Sequence, residues 1–104
     1  MQYGIDIGGT KMELGIFDNN QNLLSSQRIR TPTDDYSKFL QAVIFLVEQA
    51  DQNTLGESTV GIGLPCVIDS NNFAVSSNIQ CINGKNVHAD IRDKLKRCVG
   101  FGND

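Results

Sequence analysis

Apolar positions along this chain keep different periods in different places, and each period predicts an element. Tyr3 to Ile7 is a short apolar run, Met12 to Phe17 is another, and Leu23 to Arg30 alternates loosely. A glycine turn and Asp18-Asn19-Asn20 separate them. Runs of this length between turn residues predict strands, and the short connections predict an antiparallel meander. Thr31-Pro32-Thr33 then breaks the pattern. Asp34 and Asp35 follow where a helix N-terminus favours negative charge, and Tyr36, Phe39, Leu40, Val43, Val47 and Ala50 recur at helical spacing. At about 1.5 to 3 kcal/mol for each large apolar side chain removed from water, that stripe contributes on the order of 10 kcal/mol before entropy, so the helix is expected to lie on the sheet.

After a polar loop from Gln52 to Ser58, the stretch Thr59 to Leu64 alternates apolar residues with glycine rather than with charge. That pattern predicts a buried parallel strand, with Gly61 and Gly63 marking close approach of another backbone. Pro65-Cys66-Val67-Ile68-Asp69 leaves the strand, Ser70-Asn71-Asn72 turns, and Phe73 to Val75 predicts a short hairpin strand. Ser76 to Gly84 is polar and irregular, the character of a ligand-facing loop. Val87, Ile91, Leu95 and Cys98 predict a one-sided helix whose outer face carries Asp90/Lys94 and Asp93/Arg97 pairs four residues apart. His88, in its first turn, falls on the polar face. Val99 to Gly102 reads as the last strand. The order describes an α/β layer with mixed pairing: the meander, then parallel strands, with helices packed on the sheet.

Composition narrows this picture. The chain has 104 residues, enough for one domain with its own core but few for an enzyme that encloses two substrates. Hydrophobic content of 39% and charged content of 20% fit a globular chain, and no stretch resembles a membrane span or a cleavable signal. Cytoplasm is the expected location, without a membrane partner. A formal charge of -3 leaves no basic stripe to displace counterions, so nucleic acid is not expected as a partner. Cys66, Cys81 and Cys98 are odd in number and widely spaced, which predicts reduced thiols rather than a disulfide framework or a zinc site.

Candidate chemistry gathers at Gly4-Ile5-Asp6-Ile7-Gly8-Gly9-Thr10-Lys11. Two glycines without Cβ let backbone N–H groups approach an anion, Thr10 adds a hydroxyl, and Lys11 adds a cation. Asp6, within an apolar strand, is a carboxylate that burial would penalise, so it calls for a metal or a polar partner. Two readings stand on these residues alone: a phosphate-binding turn, or a glycine hairpin with a solvated lysine. Neither the P-loop pattern nor G-x-G-x-x-G is matched.

Asp6-Ile7-Gly8-Gly9-Thr10-Lys11, Gly61-Ile62-Gly63-Leu64-Pro65 and Asn103-Asp104 stand in an order and spacing that resembles the ROK sugar kinases. Thr31-Pro32, the Tyr36-to-Asp51 helix, Ser77-Asn78-Ile79 and Gly84-Lys85 look most like the bacterial N-acetyl-D-glucosamine kinases within that family. The resemblance covers the whole chain, as the N-terminal lobe of a two-lobe kinase. It implies an actin-like, ribonuclease-H-like ATPase lobe hinged to a second lobe, with ATP and sugar in the cleft. The C-terminal lobe would carry the second phosphate loop, the adenine pocket and a zinc motif, so residues 1–104 alone are expected to be inactive.

Carried across by position, the resemblance gives Gly8, Gly9, Thr10 and Lys11 to the first phosphate loop and places Asp6 near Mg2+ and the transferred phosphoryl group. Asp104 matches the catalytic base, and Asn103 would hydrogen-bond sugar hydroxyls. Pro65, Cys66, Ser77 and Asn78 would form the near wall of the sugar pocket. Cys66 stands where the family usually has glycine, and Gly102 where many relatives have a polar residue. The implied partners are a small-molecule sugar, N-acetylglucosamine ahead of glucose or N-acetylmannosamine, and a second copy as a homodimer of the intact protein. A sugar-responsive regulator of the same family is the alternative, but those carry a DNA-binding segment ahead of the sugar-binding lobes, and here the first strand begins at Tyr3. A non-catalytic actin-like nucleotide-binding module is another, against which the Asn103-Asp104 pair argues.

Overall fold

A computed structural model describes residues 1–54, 58–76 and 78–103. Strand β1 (Gln2–Ile7) turns into β2 (Lys11–Phe17), which turns into β3 (Leu23–Arg30). Both pairings are antiparallel, as the short connections require. Helix α1 (Tyr36–Gln52) then crosses to β4 (Thr59–Leu64), and α2 (Val87–Leu95) leads to β7 (Val99–Asn103). β4 lies parallel to β1, and β7 parallel to β4, giving a mixed sheet of order β3-β2-β1-β4-β7. Between β4 and α2, β5 (Val67–Ile68) and β6 (Ala74–Val75) form a separate small ribbon, followed by a single 3₁₀ turn at Gln80–Ile82.

One face of the sheet makes the core. Tyr3, Ile5, Ile7, Met12, Leu14, Ile16, Val60, Ile62 and Leu64 alternate along their strands and pack with Phe39, Val43, Leu46 and Val47 of α1 and Val87 and Ile91 of α2. Asp35 caps α1 by accepting the Lys38 N–H at 3.1 Å, and the Asn86 side chain caps α2 through the Ala89 N–H. Of the stripe read from the sequence, Tyr36 is only partly buried, and its hydroxyl donates to Asp90 at 2.6 Å. Burial, then that contact, push its phenol well above the usual range.

Several expectations need correction. α2 stops at Leu95 because Lys96 takes a left-handed conformation, φ 57°, and its N–H closes on the Arg92 carbonyl. Cys98 therefore lies beyond the helix and is exposed. The Asp93/Arg97 pair is replaced by one across the fold: the Arg97 guanidinium donates to Asp51 at 2.6 Å and to the Ser58 carbonyl at 3.3 Å, while the Tyr3 hydroxyl donates to the other Asp51 oxygen. Asp90 likewise turns to Tyr36. The stretch from Ser76, expected as a ligand-facing loop, also enters the core, since Ile79 and Ile82 are fully buried. Cys66, Cys81 and Cys98 are free thiols. No helix among the described residues is long and apolar enough to cross a membrane.

Candidate functional site at the ends of the parallel strands

The carboxyl ends of β1, β4 and β7 come out on one edge of the sheet, where open α/β sheets bind their ligands. Register aligns them: Asp6 pairs with Gly63, Gly63 with Gly102, and Leu64 with Asn103. The Gly8–Thr10 turn leaves β1 here, the Pro65-Cys66 turn leaves β4, and Asn103 ends β7.

The glycine turn is tight, with the Gly8 N–H donating to the Lys11 carbonyl at 2.9 Å. A Cβ on Gly8 would stand 3.2 Å from that oxygen. A Cβ on Gly9 would stand 3.0 Å from the Asn78 Cβ and 3.3 Å from its carbonyl oxygen. The turn therefore touches the loop that the family resemblance assigned to sugar, so closely that a side chain at Gly9 would have to displace it by a few tenths of an ångström. Thr10 and Lys11 are exposed, as is Asn78.

Ser76, which sequence reasoning missed, ties these turns together. It is buried; its hydroxyl donates to the Pro65 carbonyl at 3.3 Å and accepts the N–H groups of Asn78 and Ile79, both at 3.2 Å. Asn83 closes the same loop by accepting the Ser76 N–H. A serine two residues ahead of Asn78 was the available signal, since hydroxyls favour such local backbone bonds. Cys81 fastens the loop from the other side: its N–H donates to the Thr33 carbonyl at 3.0 Å and its thiol to the Pro32 carbonyl at 3.6 Å. Burial first, then the Asp34 and Asp35 charges, push the Cys81 thiol up, and burial alone pushes up Cys66. Both are poor nucleophiles near neutrality.

Asp6 differs from expectation. It is exposed, because its position in β1 faces away from the helices and onto the open side of the sheet, so burial does not penalise it. Glu13 opposes it across the β1–β2 ladder. An exposed carboxylate at the strand end beside the glycine turn fits a hydrated divalent cation, which keeps most of its waters and takes few protein oxygens. Close backbone approach at Gly61 is also not found: the nearest atom to a Cβ there is the Tyr3 carbonyl oxygen, 3.9 Å away. Glycines pave instead a hollow of about 600 Å³ on the open face, lined by Gly4, Gly61, Gly63, Gly100 and Gly102 beside Asp6. Ser77 and Asp104 lie outside the described residues.

The ROK family model matches residues 2–104. The chain belongs to the ROK family. Its sequence is 44% identical to an N-acetylgalactosamine kinase, AgaK, of Shewanella sp. (strain ANA-3), over all of this chain and 34% of that protein. It is 40% identical to an N-acetyl-D-glucosamine kinase of Vibrio cholerae, over all of this chain and 35% of that protein. The chain thus spans about a third of the length of the curated relatives it matches. Its backbone superposes on the ROK hexokinase of Thermus thermophilus with a TM-score of 0.83 at 27% identity, covering 98% of this chain and 34% of that one. The fold is accordingly the actin-like α/β lobe of ROK sugar kinases.

Within a ROK chain, Cys66 occupies a structural place that its departure from glycine left open. It is buried, and it borders a hollow of about 150 Å³ with Leu64, Ile68, His88, Phe101 and Gly102. His88 is not a free surface residue, because its ring stacks on Phe101 at 3.8 Å between centroids.

Proposed function

We propose that the whole protein carrying this chain transfers the terminal phosphoryl group of ATP to a hydroxyl of an N-acetylhexosamine, most readily N-acetyl-D-glucosamine to its 6-phosphate. In this reading residues 1–104 are the N-terminal lobe of a two-lobe kinase. The observation that carries it is the contact of Gly9 with Asn78, because it joins a phosphate-type turn to a polar loop at the strand ends. Phosphoryl transfer chiefly needs alignment and charge neutralisation, and that contact supports both being met at one place.

The roles follow from the residue types. The Gly9 and Thr10 N–H groups, the Thr10 hydroxyl and the Lys11 ammonium bind the phosphates. Asp6 holds the water shell of Mg2+, which when bound neutralises charge on the phosphoryl oxygens. Asn103, Asn78, Ser77 and the Pro65-Cys66 turn hold sugar hydroxyls and the N-acetyl group. Asp104 accepts the proton of the attacking hydroxyl as that oxygen bonds to phosphorus, and the bond to the bridging oxygen breaks to release ADP. The AgaK and N-acetyl-D-glucosamine kinase relatives support an N-acetylhexosamine, and transfer from ATP fits cytoplasm.

A sugar-dependent ADP-release assay on the whole protein tests this reading. N-acetyl-D-glucosamine is expected to outpace N-acetylgalactosamine, N-acetylmannosamine and glucose. Asp104→Asn is expected to lower turnover by about 10² to 10⁴ while leaving affinity for the ATP analogue AMP-PNP within about twofold. Undiminished turnover in Asp104→Asn refutes the base, and no sugar-dependent ADP release from the wild type refutes the kinase. Residues 1–104 alone are expected to give no appreciable turnover.

A further inference from the structure

A third cavity, between the glycine turn and the start of α1, is bordered by a cation, Arg30, that has no ion pair among the described residues. It measures about 420 Å³ and is lined by Gly9, Thr10, Arg30, Thr31, Thr33 and Asp34. Arg30 stands directly opposite Lys11 across the β2–β3 ladder, and both are exposed. Opposed residues leave the sheet on one face with Cβ atoms about 5 Å apart, where like charges destabilise the pairing. Among the described residues the ion pairs are Arg28–Glu13 and Arg97–Asp51, so neither Arg30 nor Lys11 has one. Asp34 shares the cavity wall without pairing with Arg30.

The wall is fixed to the turn. The Thr31 N–H donates to the Thr10 carbonyl at 2.9 Å, which ties the end of the arginine strand to the phosphate-type turn. Thr31 itself is buried, and its hydroxyl has no hydrogen-bond partner among the described residues. Such an unmet group asks for an explanation, and functional sites retain them. An anion between the two cations removes their repulsion and gains charge-assisted hydrogen bonds. The forked guanidinium suits a phosphoryl oxyanion in particular, and the Thr10 and Thr33 hydroxyls add donors.

We propose that Arg30, with Lys11 and the hydroxyls of Thr10 and Thr33, binds a second phosphoryl group beyond the one at the glycine turn, as part of a linear polyphosphate chain. The inference rests on the glycine turn holding a phosphoryl group. Asp34 sets its limit, because a carboxylate in the same wall weakens the field that an anion meets.

Titration calorimetry on the whole protein, with tripolyphosphate and AMP-PNP as probes, decides it. Arg30→Gln is expected to weaken tripolyphosphate about tenfold, Arg30→Lys less, and Asp34→Asn to tighten it about threefold. Tripolyphosphate that still binds the AMP-PNP-saturated protein identifies a free polyphosphate as the ligand. A parallel loss of AMP-PNP affinity in Arg30→Gln identifies the nucleotide's own phosphate tail. Equal tripolyphosphate affinity in wild type and Arg30→Gln overturns the inference. Should Arg30→Gln fail to fold by circular dichroism, Arg30→Lys and Asp34→Asn decide, since they must move the affinity in opposite directions. Arg30-dependent binding in a protein without sugar-dependent ADP release overturns the kinase reading and leaves this site standing.

Discussion

The two faces of the one sheet are built from the same strands and have opposite characters. On the helix side, Tyr3, Ile5, Ile7, Met12, Leu14 and Ile16 are buried against Phe39, Val43, Leu46 and Val47. On the other side, one cross-strand row reads Gly15-Gly4-Gly61-Gly100 and the next Glu13-Asp6-Gly63-Gly102. Phe17 covers part of the first row, its ring 3.0 Å from a Cβ on Gly15 and 3.4 Å from one on Gly4. Among the described residues nothing stands within 4 Å of a Cβ on Gly100 or Gly102. Strand alternation alone sorts the residues this way, because a period of two sends neighbours to opposite faces. The apolar face supplies cohesion, and the glycine face leaves room beside Asp6. Stability and candidate chemistry thus share a backbone without sharing side chains.

The sharpest way to break this comparison is a paired substitution. Phe39, fully buried on the sheet-facing side of α1, should cost about 3 to 5 kcal/mol as Phe39→Ala, through lost burial and the cavity left behind. Gly100→Ala should instead stabilise the chain by about 0.4 to 1 kcal/mol, because its Cβ meets nothing among the described residues and alanine narrows the unfolded ensemble. Urea unfolding of both variants of residues 1–104 measures the contrast. A destabilised Gly100→Ala would mean that the open face is packed against something after all.

Gly9→Ala probes the edge where the faces meet. Its Cβ would press on Asn78 at 3.0 Å, so the turn or the loop must shift, at about 1 to 3 kcal/mol of stability. AMP-PNP affinity of the whole protein should fall with it. Loss of stability without loss of affinity would show that the contact serves packing alone.

How much of this was legible beforehand follows from the range of each interaction. Strands and helices are local, so the runs at Tyr3, Met12, Leu23, Tyr36 and Thr59 predicted β1 to β4 and α1 nearly to their ends. Alternation of apolar residues with glycine in β4 was visible, but whether those glycines faced a neighbour or open space depends on what covers the sheet. Asp6 was misjudged for the same reason: alternation with Tyr3, Ile5 and Ile7 puts it on the opposite face, but only the fold shows that this face is uncovered. Arg97 and Asp51 lie 46 residues apart, beyond any local pattern, and the nearer Asp93 was the natural but wrong partner. In the candidate site, Gly9 was named from the glycine pair itself and Asn78 through the family resemblance, whereas their contact, the Ser76 hub and the Lys11–Arg30 opposition emerge only from folded geometry and strand register.

The smallest expected effect lies at the rim of the helix-covered face, where His88 stacks on Phe101. Two influences oppose each other. A ring face attracts a cation, which would favour the imidazolium. Burial first, and the Arg92 charge second, disfavour it and hold the imidazole below its ordinary value of 6.5. Burial should win, because the stacked ring loses water on one side while a parallel stack presents little of the N–H edge to the aromatic face. The folded state then binds fewer protons than the unfolded state just below that value. His88 therefore contributes stability that is present above about pH 6.5 and is lost as pH falls through the folded value. Carboxylates titrate in the same scan, so the informative quantity is a difference: unfolding free energy should fall less between pH 7.5 and 5.5 in His88→Gln than in the wild type. A larger fall in the variant would mean that attraction to the Phe101 ring outweighs desolvation.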